Sequence, residues 1–266
     1  MNIKSSFYIL SILFLLTGTN LHAAPLKISV GIESNDFAPY TFGKKSSFKG
    51  QGALVDLLKS FEKDLGVEFS FSIYPWKRCL KMLKKNKIDA VFNASFKKER
   101  MKIGVYPFFN GKINSLRGTH SSNYVLYKRK SSRLKWDGKS FIGLKGFIGA
   151  ERGFSIISDL KKIGVSVKEV GDATAGLIMT QKKRITGFVT LESPGDFALK
   201  KLDAKFKKGL TKYEVPIKSK RYYIIFSHQF AKSKKNILEK IWKSIETSNK
   251  KGVSKKLINN WLEKTQ

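Results

Sequence analysis

Short segments rich in β-branched and aromatic residues alternate with single amphipathic helical patterns along almost the whole chain, and this alternation restricts it to an α/β architecture. Strands are expected at Lys27–Ile32, Glu68–Tyr74, Asp89–Phe92, Phe147–Ala150, Val165–Val170, Gly187–Thr190 and Tyr222–Phe226. Between them, Leu54, Val55, Leu57, Leu58, Phe61 and Leu65 recur at helical spacing and stop at Gly66, a residue suited to a helix end. Further helices are expected at Trp76–Lys85, Ser155–Lys162, Ala173–Lys183, Asn236–Thr247 and Ser254–Leu262, and from Ser193 with Pro194 in the first turn. The alternation pauses at Asn110–Asn123 and around Tyr213–Lys220. Two such pauses suit a chain that crosses between two lobes, each a sheet flanked by helices. The expected division is lobe 1 from residues 25–115 and 215–266, and lobe 2 from 116–214.

The first 24 residues stand apart from this pattern. Lys4 supplies one positive charge, Phe7–Leu16 is almost wholly apolar, and small residues follow at Ala23 and Ala24. That order predicts a secretory signal peptide cleaved near Ala23 or Ala24, hence a periplasmic protein. The apolar stretch falls short of the roughly 18 to 20 residues a membrane-spanning helix needs. The only cysteine, Cys79, is too far along to take a lipid anchor, and it excludes an internal disulfide and any Cys-rich zinc site.

Lys and Arg number 52 against 20 Asp and Glu, a net charge of +32. Only eight of the 52 are Arg, whereas phosphate and base recognition leans on the planar guanidinium fork. The lysines are spread over nearly every predicted element. No nucleic-acid partner is expected; the charge reads as a solvated exterior, with an anionic polymer or membrane surface as the alternative.

Catalytic and cofactor signatures are absent. His120 and His228 are far apart and lack neighbouring carboxylates, so neither a metal site nor a catalytic triad is indicated. Gly138-Lys-Ser140 resembles the end of a phosphate loop, but Arg133 stands where its first glycine belongs. Gly143, Gly146 and Gly149 do not make a dinucleotide fingerprint, and Leu191 two residues before Ser193 rules out a nucleophile elbow. No cofactor and no catalytic residue is assigned.

A different constellation carries chemistry. A strand ending at Phe92 would expose Asn93 and Ser95 at its carboxyl end, where α/β sheets bind ligands. Arg100, just beyond, can reach back into the same crevice. Its fork matches a carboxylate with two parallel bonds, each charge-assisted bond being worth about 1.5 to 3 kcal/mol. A surface ion pair with Glu99 is the alternative role, worth little. Phe37, Tyr40 and Trp76 would sit on the loops after the first two strands, where aromatic faces can cover an aliphatic stem or attract an ammonium. Arg78 either enters the cleft or stays on the outer face of its helix.

Four stretches together resemble the type II periplasmic substrate-binding proteins, specifically the extracellular solute-binding family 3 that serves uptake of polar amino acids. They are Phe37–Phe42 with Gly52–Leu58, Pro75–Leu80, Asp89–Arg100, and Gly252–Trp261. The resemblance covers nearly the whole chain after the leader and implies a two-lobed fold with two crossing hinge segments. It also implies that Ser95 and Arg100 hold a ligand α-carboxylate while the carbonyl at Asn93 helps hold the α-ammonium, and it favours an aromatic at Trp76.

The second lobe is less regular. Glu151-Arg-Gly153-Phe154-Ser155 follows a strand and opens a helix, so its backbone N–H groups, around Gly153 and Phe154, can face an anion. The family usually carries an acid after the later strand to pair with the ligand ammonium. Here Leu191 stands at that place and Glu192 follows. Either Glu192 takes the role after a shift of register, or the ligand is not an ordinary α-amino acid; Glu33 is a second candidate for the cation. Lys97 could favour an acidic ligand, though a solvent-facing lysine suits so Lys-rich a chain.

The expected function is capture of a small polar solute, an amino acid or related carboxylate, between the lobes and its delivery as a monomer to an inner-membrane ABC permease. Hinge closure would shift open and closed populations. Three rivals remain: a periplasmic dehydratase of cyclic prephenate-like acids on the same scaffold, a sensory binding protein, and a docking module.

Overall fold

In the computed structural model, which describes residues 24–265, eight strands form one curled sheet, and two further pairs of two-residue strands lie apart from it. The signal-segment reading falls almost wholly outside the described residues. The strands are β1 Leu26–Glu33, β2 Val67–Tyr74, β3 Ala90–Ser95, β4 His120–Arg129, β5 Ile148–Glu151, β6 Val167–Val170, β7 Gly187–Leu191 and β8 Leu210–Phe226. Across the sheet they run β6-β5-β7-β4-β8-β3-β1-β2. The longer helices are α1 Ala53–Lys59, α2 Trp76–Lys84, α3 Ile156–Lys162, α4 Ala173–Gln181, α5 Glu192–Lys201, α6 Lys235–Lys250 and α7 Val253–Thr265.

Two parallel groups sit at opposite ends of this sheet. β1 pairs in parallel with β2 and β3, while β7 and β6 pair in parallel with β5. Between them β4 and β8 run antiparallel to each other and to their outer neighbours. The molecule is therefore two-lobed, with β4 and β8 carrying the sheet from one lobe to the other. β8 is 17 residues long, and its register against β4 shifts between Tyr213 and Lys218, a bulge that bends the strand where it crosses.

The cores follow from the alternation. Ile28, Val30 and Ile32 of β1 are fully buried against Leu54, Leu57 and Leu58 of α1, with Trp242 and Ile245 of α6 in the same cluster. Cys79 and Leu83 of α2 pack with Val91, Ala94 and Tyr223. In the other lobe Leu177 of α4 and Phe188 of β7 meet Val125 and Tyr127 of β4.

Three segments differ from the sequence reading. The expected helix through Leu65 breaks after α1, because Ser60 turns its hydroxyl back onto the Leu57 carbonyl at 2.7 Å, a local bond that competes with the helix. A separate turn, Glu62–Leu65, ends on Gly66 in the left-handed conformation at φ 64°. The whole of β4, and β8 before Tyr222, were not among the expected strands. Among the described residues no helix is long and apolar enough to cross a membrane.

Candidate functional site

The carboxyl ends of β1, β3, β5 and β7 point at one another across the gap between the lobes, the place where sheets of this kind present side chains to a ligand. A small cavity of about 20 Å³ lies there. Glu33, Phe37, Trp76, Asn93, Ser95 and Arg100 line it from the first lobe, and Phe154, Ser155 and Leu191 from the second. Tyr124 of β4 and Tyr222 of β8 form its floor at the crossing.

Arg100 is the centre of this arrangement. The chain leaves β3 and winds through a 3-10 turn, Lys98–Lys102, which returns the Arg100 side chain to the strand end. Only 6% of the residue is exposed. One guanidinium nitrogen donates to the carbonyl and the hydroxyl of Ser95, at 3.0 and 3.1 Å, and the other to the Gly153 carbonyl of the facing lobe at 3.1 Å. The guanidinium also lies over the Trp76 ring, 5.6 Å from its centre. It makes no pair with Glu99.

A chain of polar groups continues from it. Ser95 donates its hydroxyl to that of Ser155 at 2.8 Å, and Lys220 donates to the same Ser155 oxygen at 2.9 Å while pairing with Asp159. Tyr124 stands 3.4 Å from that oxygen. Two cations and three hydroxyls thus converge on one small volume, a donor set fitted to a carboxylate. Asn93 takes a left-handed backbone at φ 64°, which asparagine tolerates better than most residues. Its amide donates to Thr41 at 3.2 Å, and its Oδ1 has no partner among the described residues.

Acid groups lie on the opposite side. Glu33 is 7% exposed and accepts from the Asn35 amide and the Ser34 hydroxyl, at 3.1 and 3.2 Å. Burial nevertheless raises its pKa above the usual carboxylate range. Glu151, at the end of β5, is buried and its Oε2 meets no hydrogen-bond partner among the described residues. Burial, reinforced by the charge of Glu33, pushes its pKa up to about 8. Among the described residues no group of three or more His, Cys, Asp or Glu is placed to hold a metal.

Seven residues named from sequence, Glu33, Phe37, Trp76, Asn93, Ser95, Arg100 and Phe154, are brought to this cavity. Gly153 adjoins it, but offers its carbonyl to Arg100 rather than an N–H to an anion; the Phe154 N–H is taken by the Glu151 carbonyl. Three do not reach it. Tyr40 is buried beside it, stacked on His120 with ring centres 3.7 Å apart. Arg78 lies on the outer face of α2 over the Tyr74 ring, because the helix that turns Trp76 inward turns Arg78 outward. Glu192 pairs with Lys212 at 2.9 Å behind the cavity wall, so the shift of register that would bring it inside does not occur. Ser155, Tyr124, Tyr222 and Lys220 were not singled out from sequence. A serine before an apolar helical run signals an N-cap, and that was the one cue to Ser155.

The lobes also touch around the rim. Asn35 donates to the Gly171 carbonyl at 3.0 Å, Lys77 pairs with Glu169 at 3.1 Å, and Lys45 pairs with Asp172. Phe37 meets Phe154 edge to face across the gap at 6.1 Å. Exposed ion pairs of this kind are worth about 1 kcal/mol or less, so the closed rim is held by contacts that reopen at little cost.

The pattern described as bacterial extracellular solute-binding proteins, family 3, matches residues 28–264. No curated protein sequence matches the chain. Among solved structures, a histidine kinase sensor domain with similarity to periplasmic binding proteins aligns with a TM-score of 0.71 at 16% identity, over 90% of this chain and 97% of that one. An amino acid ABC transporter substrate-binding protein, AbpA from Streptococcus pneumoniae bound to L-arginine, aligns at 0.70 and 17% identity, over 90% and 95%. An ancestral arginine-binding protein bound to glutamine aligns at 0.68 and 22% identity, over 88% and 97%. At these identities the likeness is one of fold.

Proposed function

Because this chain belongs to the bacterial extracellular solute-binding proteins, family 3, we propose that it captures a small amino acid or related carboxylate between its lobes, outside the inner membrane, for uptake by an ABC transporter. The observation that carries this reading is the Arg100 guanidinium, held against the Ser95 hydroxyl at 3.1 Å and spanning to the second lobe at a cavity both lobes line. A ligand carboxylate entering an opened cleft exchanges with the Gly153 carbonyl for one edge of the fork and takes the Ser95 and Ser155 hydroxyls. Closure then buries the pair, and an incoming group without a partner is rejected by its desolvation cost. Residues 25–115 with 215–266 act as one lobe and 116–214 as the other, rotating about β4 and β8.

A thermal-shift screen against amino acids, dicarboxylates, small peptides and prephenate-like acids tests the reading. A ligand bound by the folded state alone raises the midpoint. A clear rise with an amino acid or carboxylate supports capture. No rise with any of them, together with salt-sensitive binding to an anionic polymer, overturns it in favour of a docking role. A sensory role is the second reading, favoured by the fold shared with a histidine kinase sensor domain. Cross-linking of the loaded protein in cells separates the two: a permease partner fits transport and a receptor kinase fits sensing.

A further inference from the structure

Beside the small cavity at Arg100 lies a second, of about 170 Å³, and Phe37 and Phe154 line both. Glu151 faces the second cavity from β5. It is 5% exposed, and its Oε2 has no partner among the described residues. The Thr190 hydroxyl beside this carboxyl favours its charged form, yet Oε2 still lacks a donor, and a buried carboxyl oxygen in that state is a costly arrangement, tolerated where something arrives to satisfy it. The other charged groups around this cavity are already engaged. Asp36 accepts from the Gly43 amide, Asp172 pairs with Lys45 and caps α4, and Lys201 lies over the Phe197 ring, 4.1 Å from its centre. The two cavities therefore differ in sign. One converges donors on a carboxylate, and the other presents an unsatisfied acid. Between them Phe37 and Phe154 touch edge to face with ring centres 6.1 Å apart, a contact across the lobes that parts when the cleft opens and offers its two ring faces to an aliphatic stem.

We propose that Glu151 is the counter-ion for a second, distal cationic group of the ligand, so that this protein selects amino acids whose side chain ends in an ammonium or guanidinium. The inference rests on the solute-binding reading and deepens it. The carboxylate seats at Arg100 and Ser95, the α-ammonium lies toward Glu33 in the same cavity, the stem passes between Phe37 and Phe154, and the side-chain cation meets Glu151. At pH 7 Glu151, with a pKa near 8 in the free protein, is largely protonated; a cation beside it expels that proton. Binding then releases close to one proton, and affinity for a cationic ligand rises with pH up to about 8. Glu33, Asp36, Asp172, Lys45 and Lys201 also face this region, and a residue with no protonatable side chain at position 151 isolates the contribution of Glu151.

The test is calorimetric titration of the purified protein with L-lysine, L-arginine and L-norleucine, together with L-leucine and L-glutamate, at pH 7 in buffers of different ionisation enthalpy. L-norleucine matches the L-lysine stem without its distal charge. The expected result is binding of L-lysine or L-arginine at least tenfold tighter than L-norleucine, with proton release in the wild type. Glu151→Gln should lose at least tenfold affinity for the cationic ligand and release no proton. Circular dichroism checks that the variant is folded. Equal binding of L-norleucine and L-lysine, or proton release that persists in Glu151→Gln, overturns the inference while leaving solute capture intact. Failure of both cationic amino acids also overturns it, and the neutral and acidic members of the set then decide the broader reading by themselves.

Discussion

The two walls of the cleft are built on the same plan and left in different states. In the first lobe the charged groups at the strand ends are satisfied within the protein, although the Asn93 Oδ1 has no partner among the described residues: Arg100 has three acceptors, Ser95 donates to Ser155, and Glu33 accepts from Asn35 and Ser34. In the second lobe the acid at the equivalent strand end, Glu151, carries an orphan oxygen, and β7 ends on apolar Leu191. One wall is set before anything arrives, and the other is completed by what arrives. Preorganised donors give affinity for a shared group such as a carboxylate, whereas an unsatisfied group discriminates between ligands, because it penalises those that leave it bare.

Removing the preset anchor should have the largest effect. Arg100→Ala deletes two charge-assisted contacts to a carboxylate, worth about 3 to 6 kcal/mol together, so affinity measured by calorimetry should fall by about 100-fold or more. Arg100→Lys keeps the charge and loses the fork, and is expected to remain at least tenfold weaker than the wild type. Wild-type affinity in Arg100→Lys would break the comparison, since the first wall would then act through charge alone. Arg100 also links Ser95 to Gly153, so a modest fall in the melting midpoint accompanies the loss of binding.

The incomplete wall should show itself in stability. The Glu151 pKa is raised from 4.5 to about 8 in the folded protein, so the folded state holds a proton that the unfolded state releases over that interval. Stability therefore falls as pH rises from about 5 to 8, by an amount on the order of a few kcal/mol at full burial. Glu33, raised by burial as well, acts in the same direction. Because Glu33 stays in both proteins, the difference between the wild type and Glu151→Gln isolates Glu151. Denaturant titrations at pH 5 and pH 8 should show the wild type losing more stability than the variant. Parallel behaviour of the two proteins would mean that Glu151 is satisfied in solution and the walls are alike.

The contact that joins the walls is worth less. Ser155→Ala leaves Ser95 and Lys220 one partner short, but Lys220 keeps Asp159 and the cavity keeps Arg100. About tenfold weaker binding is expected, the value of one net hydrogen bond of about 1 to 1.5 kcal/mol.

The asymmetry of the walls also governs what was legible beforehand. The first-lobe residues lie on consecutive strand ends and loops, where a period-two strand followed by a polar residue and an arginine can be read locally. Ser95 and Arg100 are five positions apart, and a single turn joins them. Tyr124 comes from β4, which is not among the expected strands, and Tyr222 stands where the expected strand Tyr222–Phe226 begins, with the part of β8 before it unexpected. β4 pairs with β8 over more than eighty residues of sequence, as Arg129 with Leu210 and His120 with Tyr222, and such pairing leaves no local trace. The stretch from Lys212 to Arg221 interleaves three lysines, Arg221 and Pro216 with apolar residues on a half-exposed strand, so its alternation is masked. Glu151 was visible in sequence as part of a turn. Its meaning depends on burial, and burial is set by the facing lobe.

Glu192 is the sharpest negative test, because sequence and structure assign it different places. From sequence it could replace the acid that Leu191 displaces; in the fold it holds Lys212 at 2.9 Å and accepts from Asn123 at 3.3 Å, outside the cavity. Lys212 has Asp196 as a second partner at the same distance, so Glu192→Ala leaves no cation stranded. The expected outcome is affinity within about twofold of the wild type and a stability change below about 1 kcal/mol, as for a partly exposed ion pair. A large loss of binding in Glu192→Ala, beside unchanged binding in Glu151→Gln, would place the cation partner at the first residue of α5, just past the end of β7. The second wall would then be completed by rotation of α5 during closure, and not by the acid that waits at the end of β5.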